Sequence, residues 1–257
     1  MKMNQASDKA DEPKIPMSDT AGQTLKKIFH QGYSFPRIDE QHASESMLMN
    51  PLRLAIFTEL SESPCDHTRS IARKLGNSLS SINWNLGQLL GRGYLESCTV
   101  DGKKAYWPTG MVEKEDVLTV SMLRIPWVIR TLGAVHEAQN IRQRDLVSAM
   151  GEKQQVMEFR LRKMLACGIL DSPGMRYPRT YFVNEDLMRR TMHYRTRARQ
   201  VSKEFFEIFR KDGLMPGSRR LRNTRLSVDI RLPSGKITVH LECDPMANAR
   251  KLLARRL

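Results

Sequence analysis

The chain has 257 residues and a formal net charge of +14, from 42 Lys and Arg against 28 Asp and Glu. Its hydrophobic content of 40% suffices for buried cores, and its length suggests more than one domain. No apolar run approaches the ~18 residues of a membrane-spanning helix, and the N-terminus lacks the apolar stretch of a signal peptide. We therefore expect a cytoplasmic protein with no membrane partner and with affinity for a polyanion.

The four cysteines, at positions 65, 98, 167 and 243, form no CxxC pair, and no histidine lies at zinc-finger spacing. We expect no metal site, no disulfide framework and no cofactor. Motifs of catalysis are also missing from the sequence, including a Walker loop, GxGxxG, HExxH and a convincing nucleophile elbow. The six histidines are dispersed over different predicted elements. The sequence therefore favours a binding protein over an enzyme.

The segment 1–49 begins with about 20 residues that are polar, charged and proline-bearing. Segments of this composition bury too little apolar surface to offset the entropy of ordering the chain. We expect a largely disordered tail, within which scattered apolar residues at 24–35 favour one short helix.

Capping and helix-ending residues divide the segment 50–110 into three predicted helices. The first helix runs from Pro51 to Glu62. The second is capped by Asp66 and ends at Gly76, and the third is capped by Ser78 and ends near Gly93. Two strand-like stretches then flank Asp101-Gly102, a strong hairpin signal. Two helices, a tight turn, a third helix and a hairpin are the order of a winged helix-turn-helix, whose third helix enters the DNA major groove.

The stretch from Asn50 to Thr109 resembles the DNA-binding module of the ArsR/MarR class of prokaryotic regulators, including a "hxxLxxxGYL" run from the third helix into the hairpin. The resemblance implies that side chains before and within the first turns of the third helix read bases. We predict the following base-reading residues: Ser78, Ser80, Ser81, Asn83, Trp84 and Gln88. Lys103 and Lys104, beside the hairpin turn, fit contacts to phosphates.

The segment 51–110 recurs at 126–185 with a constant offset of 75 residues and no gap. The identities are Pro51 with Pro126, Gly76 with Gly151, Gly93 with Gly168, and Tyr106 with Tyr181. Apolar positions between them also coincide. One supersecondary unit used twice predicts a second winged helix at 126–184, more diverged from the regulator modules than the first.

The third helix of the second copy offers side chains that suit phosphates and bases: Lys153, Gln154, Gln155 and Arg160. Its hairpin carries Arg176 and Arg179, which would clamp the DNA backbone. Glu158 replaces Asn83, however, and an acidic group repels phosphate unless it accepts from a cytosine amine. The second copy is therefore predicted to contact DNA, with packing between domains or protomers as the alternative.

Three further segments complete the predicted organisation: a connector helix at 111–125, a long basic helix at 185–213 and a basic ββα element at 214–257. Residues 186–257 hold 18 Lys and Arg against 7 Asp and Glu, a net charge of +11. We expect Arg195, Arg197 and Arg199 of the long helix to bind phosphates. The apolar face of the ββα hairpin must pack on the long helix or on a second chain, which would make a homodimer.

The predicted fold is mostly α with small β: tandem winged helix-turn-helix domains joined by helices, plus the C-terminal ββα element. The predicted function is sequence-specific binding of double-stranded DNA by a prokaryotic transcriptional regulator. Two alternatives stay open. Plasmid replication initiators also pair two winged helices and bind DNA repeats, and winged helices also act as protein-docking scaffolds.

Overall fold

A computed structural model gives the fold of residues 46–174, 179–232 and 235–254. Most of the predicted tail, including the predicted helix at 24–35, lies outside the described residues. Within the described ranges the chain is mostly helical and carries three antiparallel sheets of three short strands each. This agrees with the predicted mixture of helices and small β elements.

The first repeat contains three helices and one sheet. Its elements are α1 (Pro51–Glu62), β1 (Asp66–His67), α2 (Thr68–Leu75), α3 (Leu79–Gly91), β2 (Leu95–Val100) and β3 (Lys103–Pro108). The central strand is β3, which pairs with β1 on one side and β2 on the other. The short strand β1 was not predicted, because two residues carry no alternating pattern.

Side chains that cap α1 and α3 set where these helices begin. The Asn50 side chain accepts hydrogen bonds from the backbone N–H groups of Leu52 and Arg53, both at 3.1 Å. Ser78 Oγ accepts from the N–H of Ser81 at 3.2 Å. Such caps satisfy donors that have no partner within the helix. The start of α3, predicted at Ser78, is therefore confirmed.

Asp66 does not cap the second helix, contrary to the prediction. It lies in β1 opposite Tyr106, and its side chain is fully buried. The carboxylate accepts from Ser70 Oγ at 2.8 Å and lies 3.0 Å from Lys74 Nζ and 2.7 Å from Arg124 Nη1. Burial alone would raise the pKa of Asp66, but the two cations hold it below its ordinary value. Asp66 thus joins β1, α2 and the segment after the first repeat.

The same order of elements recurs 75 residues later. The elements are α5 (Pro126–Ala138), β4 (Ile141–Arg142), α6 (Gln143–Met150), α7 (Gln154–Ala166), β5 (Leu170–Asp171) and β6 (Thr180–Val183). Strand register also repeats: Asp66 faces Tyr106 in the first sheet, and Ile141 faces Tyr181 in the second. The second hairpin has shorter strands, and its residues 175–178 lie outside the described residues.

The connector between the repeats contains a 3-10 turn (Lys114–Asp116) and a short helix, α4 (Val117–Leu123), instead of one continuous helix. The helical stretch Lys114–Leu123 meets α5 at an angle of 88°. In the described ranges, no single helix is long and apolar enough to cross a membrane, and only this bent pair reaches the required length together.

A long helix, α8 (Glu185–Lys211), follows the second repeat as predicted, and the Asn184 side chain caps it. Its buried residues recur three or four positions apart and include Leu187, Tyr194, Ala198, Val201, Phe205 and Phe209. Phe57 of α1 meets Phe205 and Phe209 edge-on, with ring centroids 5.4 and 6.0 Å apart. The C-terminal half of α8 therefore packs on the first repeat.

Asp212, directly after α8, anchors the start of the described chain. Its buried carboxylate accepts from Ser46 Oγ at 2.9 Å and from the N–H groups of Met47 and Leu48 at 2.8 and 2.5 Å. Tyr94, between α3 and β2, donates its hydroxyl at 2.7 Å. Burial and this hydrogen bond raise the pKa of Tyr94 above its ordinary value. One side chain thus holds three distant segments together.

The C-terminal element has one strand more than predicted: β7 (Met215–Arg222), β8 (Arg225–Leu232), β9 (Gly235–Glu242) and α9 (Ala247–Leu253). The prediction of a ββα element is wrong in this respect. The strand β7 was missed because an arginine-rich run after Pro216 and Gly217 is typical of a linker. Proline is tolerated on an edge strand, and β7 is the edge that pairs with β8. Asn223, at a φ of 55°, makes the turn between the two strands.

The inner face of this sheet is covered within the chain. Val228, Ile230 and Leu241 are fully buried, and the sheet packs on α8 and α1. The helix α9 packs on α8 and on α5. The first of the two predicted arrangements, packing on the long helix, is the one observed. The hairpin face that led us to expect a homodimer is therefore not available for one.

Candidate nucleic-acid interface

The helix α3 has one buried and one exposed face. Ile82, Leu86 and Leu89 are buried, at spacings of four and three residues that place them on one side of the helix. The opposite side exposes polar and aromatic side chains, and it includes the predicted base readers Ser80, Asn83 and Trp84.

Trp84 is 58% exposed. The Arg53 guanidinium lies over its ring, 5.4 Å from the centroid. A buried amide fixes that arginine: Arg53 Nε donates to Asn85 Oδ1 at 3.1 Å, and Asn85 Nδ2 donates to the Ser81 carbonyl at 2.8 Å. The exposed tryptophan is thus held by a cation whose own position is fixed. Arg53 and Asn85 were not among the predicted site residues.

The other predicted residues of α3 are placed differently. The Ser78 hydroxyl is occupied as the helix cap and lies 3.1 Å from Ser80 Oγ. Ser81 and Gln88 are half-buried, toward the side of the helix. Asn83 is exposed, and its side chain makes no hydrogen bond to any residue that the structure describes. Asn83 and Trp84 are therefore the two side chains best placed to contact a ligand.

Phe159 of α7 occupies the position of Trp84 in the second repeat and is 57% exposed. Lys163 Nζ lies 5.3 Å from the centroid of its ring. Both repeats therefore present an exposed aromatic ring with a cation above it, at positions 75 residues apart. Phe159 was not among the predicted contacts, although the constant offset from Trp84 could have identified it.

Lysines on the first hairpin and the N-terminus of α7 lie exposed, as the phosphate-binding prediction requires. Lys103 and Lys104 follow the tight turn, and Lys104 Nζ lies 5.6 Å from the Tyr106 ring. Asp101, at the turn itself, forms an ion pair with Lys163 of α7 at 3.0 Å. The first hairpin tip therefore lies beside the third helix of the second repeat.

In the second repeat the predicted residues divide into exposed and packed groups. Lys153, Gln154 and Gln155 are exposed at the start of α7. Arg160 instead pairs with Glu152 at 2.5 Å and lies over the Trp127 ring, 5.0 Å from its centroid, so it packs the repeat together. Arg179 is half-buried beside β6, and Arg176 lies outside the described residues.

The acidic residue of α7 is paired. Glu158 accepts from Arg162 Nη2 at 3.1 Å, one helical turn further along. An exposed pair of this kind is weak and easily exchanged. The repulsion of phosphate that Glu158 introduces is therefore partly offset by its own neighbour.

The arginines of α8 do not form one cluster. Arg195 and Arg199 are exposed and lie four residues apart on one face. Arg197 points elsewhere: it pairs with Glu113 at 2.5 Å and donates to the Gly110 carbonyl at 3.0 Å. The predicted trio of phosphate contacts is therefore split, and Arg197 joins α8 to the connector.

Other polar residues of α8 also connect this helix to the segment between the two repeats. Arg190 donates to Asp116 Oδ1 at 2.8 Å and to the Gly168 carbonyl at 2.9 Å. The Tyr194 hydroxyl donates to Asp116 Oδ2 at 2.9 Å and accepts from the N–H of Glu113 at 3.0 Å. Burial raises the pKa of the Tyr194 hydroxyl, which stays protonated. Part of the basic charge of this helix thus stabilises the fold.

The described residues contain no group of three or more His, Cys, Asp or Glu side chains placed to hold a metal ion. The chemistry of the candidate interface is that of amides, hydroxyls, cations and two exposed aromatic rings. A scan against models of known protein families finds no match to this chain, and a search of curated proteins finds none either.

Proposed function

We propose that this protein is a sequence-specific double-stranded DNA-binding regulator of transcription, built from two winged helix-turn-helix units whose third helices are α3 and α7. The observation that carries the proposal is the pair of exposed rings, Trp84 and Phe159, at equivalent positions of two repeated third helices. A major groove admits an α-helix, and side chains on its exposed face then meet the base edges. We place this activity in the cytoplasm, at the nucleoid.

Each side chain on these faces has a chemistry that fits a base. The Asn83 amide can both donate to and accept from an adenine, as can that of Gln155. The rings of Trp84 and Phe159 fit the methyl group of thymine. Because the two helices carry different residues, each should read a different half-site. The proposed binding site is therefore asymmetric.

Affinity in this proposal comes from exposed cations on several elements of the fold. Lys103 and Lys104 on the first hairpin, Lys153 at the start of α7, and Arg195 and Arg199 on α8 are exposed. Lysine and arginine contacts to phosphates position a protein on the duplex without reading its sequence. The formal charge of +14 supports such a field over the whole chain.

A protein-docking scaffold remains a second candidate, because exposed tryptophan and arginine are also the residues that dominate protein interfaces. The Arg53–Trp84 pair fits that use as well. The two candidates differ in salt dependence: duplex binding weakens steeply with salt, since each phosphate contact releases counterions.

The decisive experiment selects binding sites from a library of random duplexes and then measures affinity for the enriched and random sequences at several salt concentrations. We expect an asymmetric enriched motif with adenine and thymine at the positions that protection by the protein assigns to α3. Absence of any enriched motif, with weak salt-independent binding to duplex, would refute the regulator and favour the docking scaffold.

A further inference from the structure

The outer face of the C-terminal sheet forms a shallow polar depression of about 450 Å³. Eight side chains from all three strands line it: Ser218, Arg220, Arg222, Ser227, Asp229, Lys236, Thr238 and His240. Strand register places them in rows across the sheet, with Ser227 between Arg220 and His240, and Asp229 between Ser218 and Thr238. A bulge between Pro216 and Ser218 bends the edge strand.

Successive residues of β7 point to opposite faces of the sheet, because the strand is pleated. Arg219 lies against α8, where its guanidinium is 5.5 Å from the Phe206 ring. Arg220 and Arg222 are exposed on the outer face and form no ion pair with any residue in the described ranges. Side chains two residues apart share a face, and the strand rise places the Cα atoms of these two arginines ~6.6 Å apart.

The one carboxylate among the eight lining residues, that of Asp229, is already paired with a cation. Lys236 Nζ lies 2.8 Å from Asp229, and the hydroxyls of Ser218 and Thr238 donate to the same carboxylate at 2.5 and 2.8 Å. These three partners hold the pKa of Asp229 well below its ordinary value. Asp229 therefore does not repel an anion that approaches Arg220 and Arg222.

We propose that this face binds the sugar–phosphate backbone of duplex DNA outside the sequence read by α3 and α7, an inference that rests on the proposed function. Guanidinium groups bind phosphate oxygens through paired N–H donors, so Arg220 and Arg222 would supply the contacts. The lining holds no Phe, Tyr or Trp ring on which an unpaired base could stack, and its one imidazole, that of His240, is hydrogen-bonded to Ser227, which favours a duplex over a single strand.

An acidic protein is the competing partner for a basic face. Protein interfaces depend on buried aromatic and apolar anchors at their centre. The eight residues that line this depression include no apolar side chain. The face therefore fits a regularly charged backbone better than a folded protein surface.

The test compares the full-length wild-type protein with R220A/R222A on a random duplex, over a range of salt concentrations. The matched control is R189A/R210A, which removes two exposed arginines that are paired with Asp186 and Glu207. If two phosphate contacts are lost, the slope of log affinity against log salt flattens by about 1.8 in R220A/R222A. The preference for the enriched over the random sequence stays as in wild type.

An unchanged salt slope in R220A/R222A, or an equal change in the control, would refute this face as a backbone-binding surface while leaving the regulator proposal intact. Loss of binding to polyglutamate, with duplex binding unchanged, would identify an acidic protein as the partner instead. If the wild-type protein binds no duplex at any salt concentration, the proposed function itself fails, and this inference fails with it.

Discussion

Trp84 is the exposed residue on which the proposed DNA-binding function depends most. Its ring is exposed, the Arg53 guanidinium lies over it, and the preceding residue, Asn83, has an exposed amide with no hydrogen bond to the part of the chain that the structure describes. A single exposed aromatic residue would need no explanation. An exposed ring at the equivalent position of a second repeat makes a contact surface the better interpretation.

We predict that N83A/W84A abolishes most of the preference for the enriched sequence and leaves affinity for random duplex nearly unchanged. Each base contact contributes ~1–3 kcal/mol, so the ratio of the two affinities should fall at least tenfold. Fluorescence anisotropy with both duplexes measures this ratio. L118A, which trims another exposed apolar side chain, is the control and should bind as wild type. Equal losses on both duplexes would contradict a base-reading role.

Asp66 supports a second residue-scale prediction, on stability. Its folded-state pKa is lowered, so its ionised form stabilises the fold at a pH above the unfolded value of ~3.9. That contribution is lost as pH falls through the lower folded-state pKa. D66N should lose ~1.5–3 kcal/mol at neutral pH, because the charge-assisted bonds of the buried carboxylate are lost and Arg124 loses this charged partner, whereas Lys74 still pairs with Glu59 at 2.6 Å.

Urea denaturation of wild type and D66N between pH 2 and 7 tests this prediction. The difference in unfolding free energy between the two proteins should shrink as pH falls below ~4, since protonated Asp66 resembles the asparagine. A difference that stays constant over the whole range would show that Asp66 does not act through its charge.

At the scale of elements, α8 shows how one helix uses the same residue type for two purposes. Arg190 and Arg197 face the connector and pair with its carboxylates, whereas Arg195 and Arg199 face solvent. The charge count alone treats all four alike. The excess of +11 over residues 186–257 therefore overstates the charge that is free to attract DNA.

We predict that two sets of charge reversals on this helix affect different properties, one DNA binding and the other stability. R195E/R199E should weaken duplex binding and flatten its salt slope, with an unchanged melting temperature, because both side chains are exposed. R197E should bring like charges together at Glu113 and lose the bond to Gly110, which lowers stability by about 1 kcal/mol at this partly exposed site. Calorimetry and anisotropy on the same samples separate the two effects. Unchanged binding by R195E/R199E would exclude α8 as a phosphate contact.

At the scale of the whole molecule, the C-terminal sheet and α8 are part of the common core. The aromatic contacts of Phe205 and Phe209 with Phe57, and the bonds of Asp212 to residues 46–48, tie them to the first repeat. Deleting 186–257 would therefore expose the core of α1. Charge effects must be tested with surface substitutions instead.

We predict that V228D/V239D unfolds the protein rather than altering its oligomeric state. Both side chains are buried, with exposures of 0% and 7%, and a carboxylate there would have no partner. R231D/H240D places the same groups on the outer face of the same two strands and should keep a cooperative unfolding transition. Circular dichroism during urea titration measures both. A folded V228D/V239D of changed mass in sedimentation would instead indicate a subunit interface.

The sequence by itself determined the features that depend on residues close together in the chain. The offset of 75 predicted two units of the same element order, the cap at Ser78 and the glycines near helix ends set their bounds, and the helical period of α3 separated its buried from its exposed face. Local backbone preferences and hydrophobic periodicity suffice for such features.

Only the tertiary structure decided which charged residues form ion pairs and hydrogen bonds inside the protein. Arg197 meets Glu113, Asp66 meets Arg124, and Asp212 meets Ser46, and these partners are 84, 58 and 166 residues apart in the chain. It also made the run around Arg220 a strand, because pairing with β8 outweighs the local signals of proline and glycine. Partners so distant are set by the packing of whole elements, and no local pattern in the sequence encodes them.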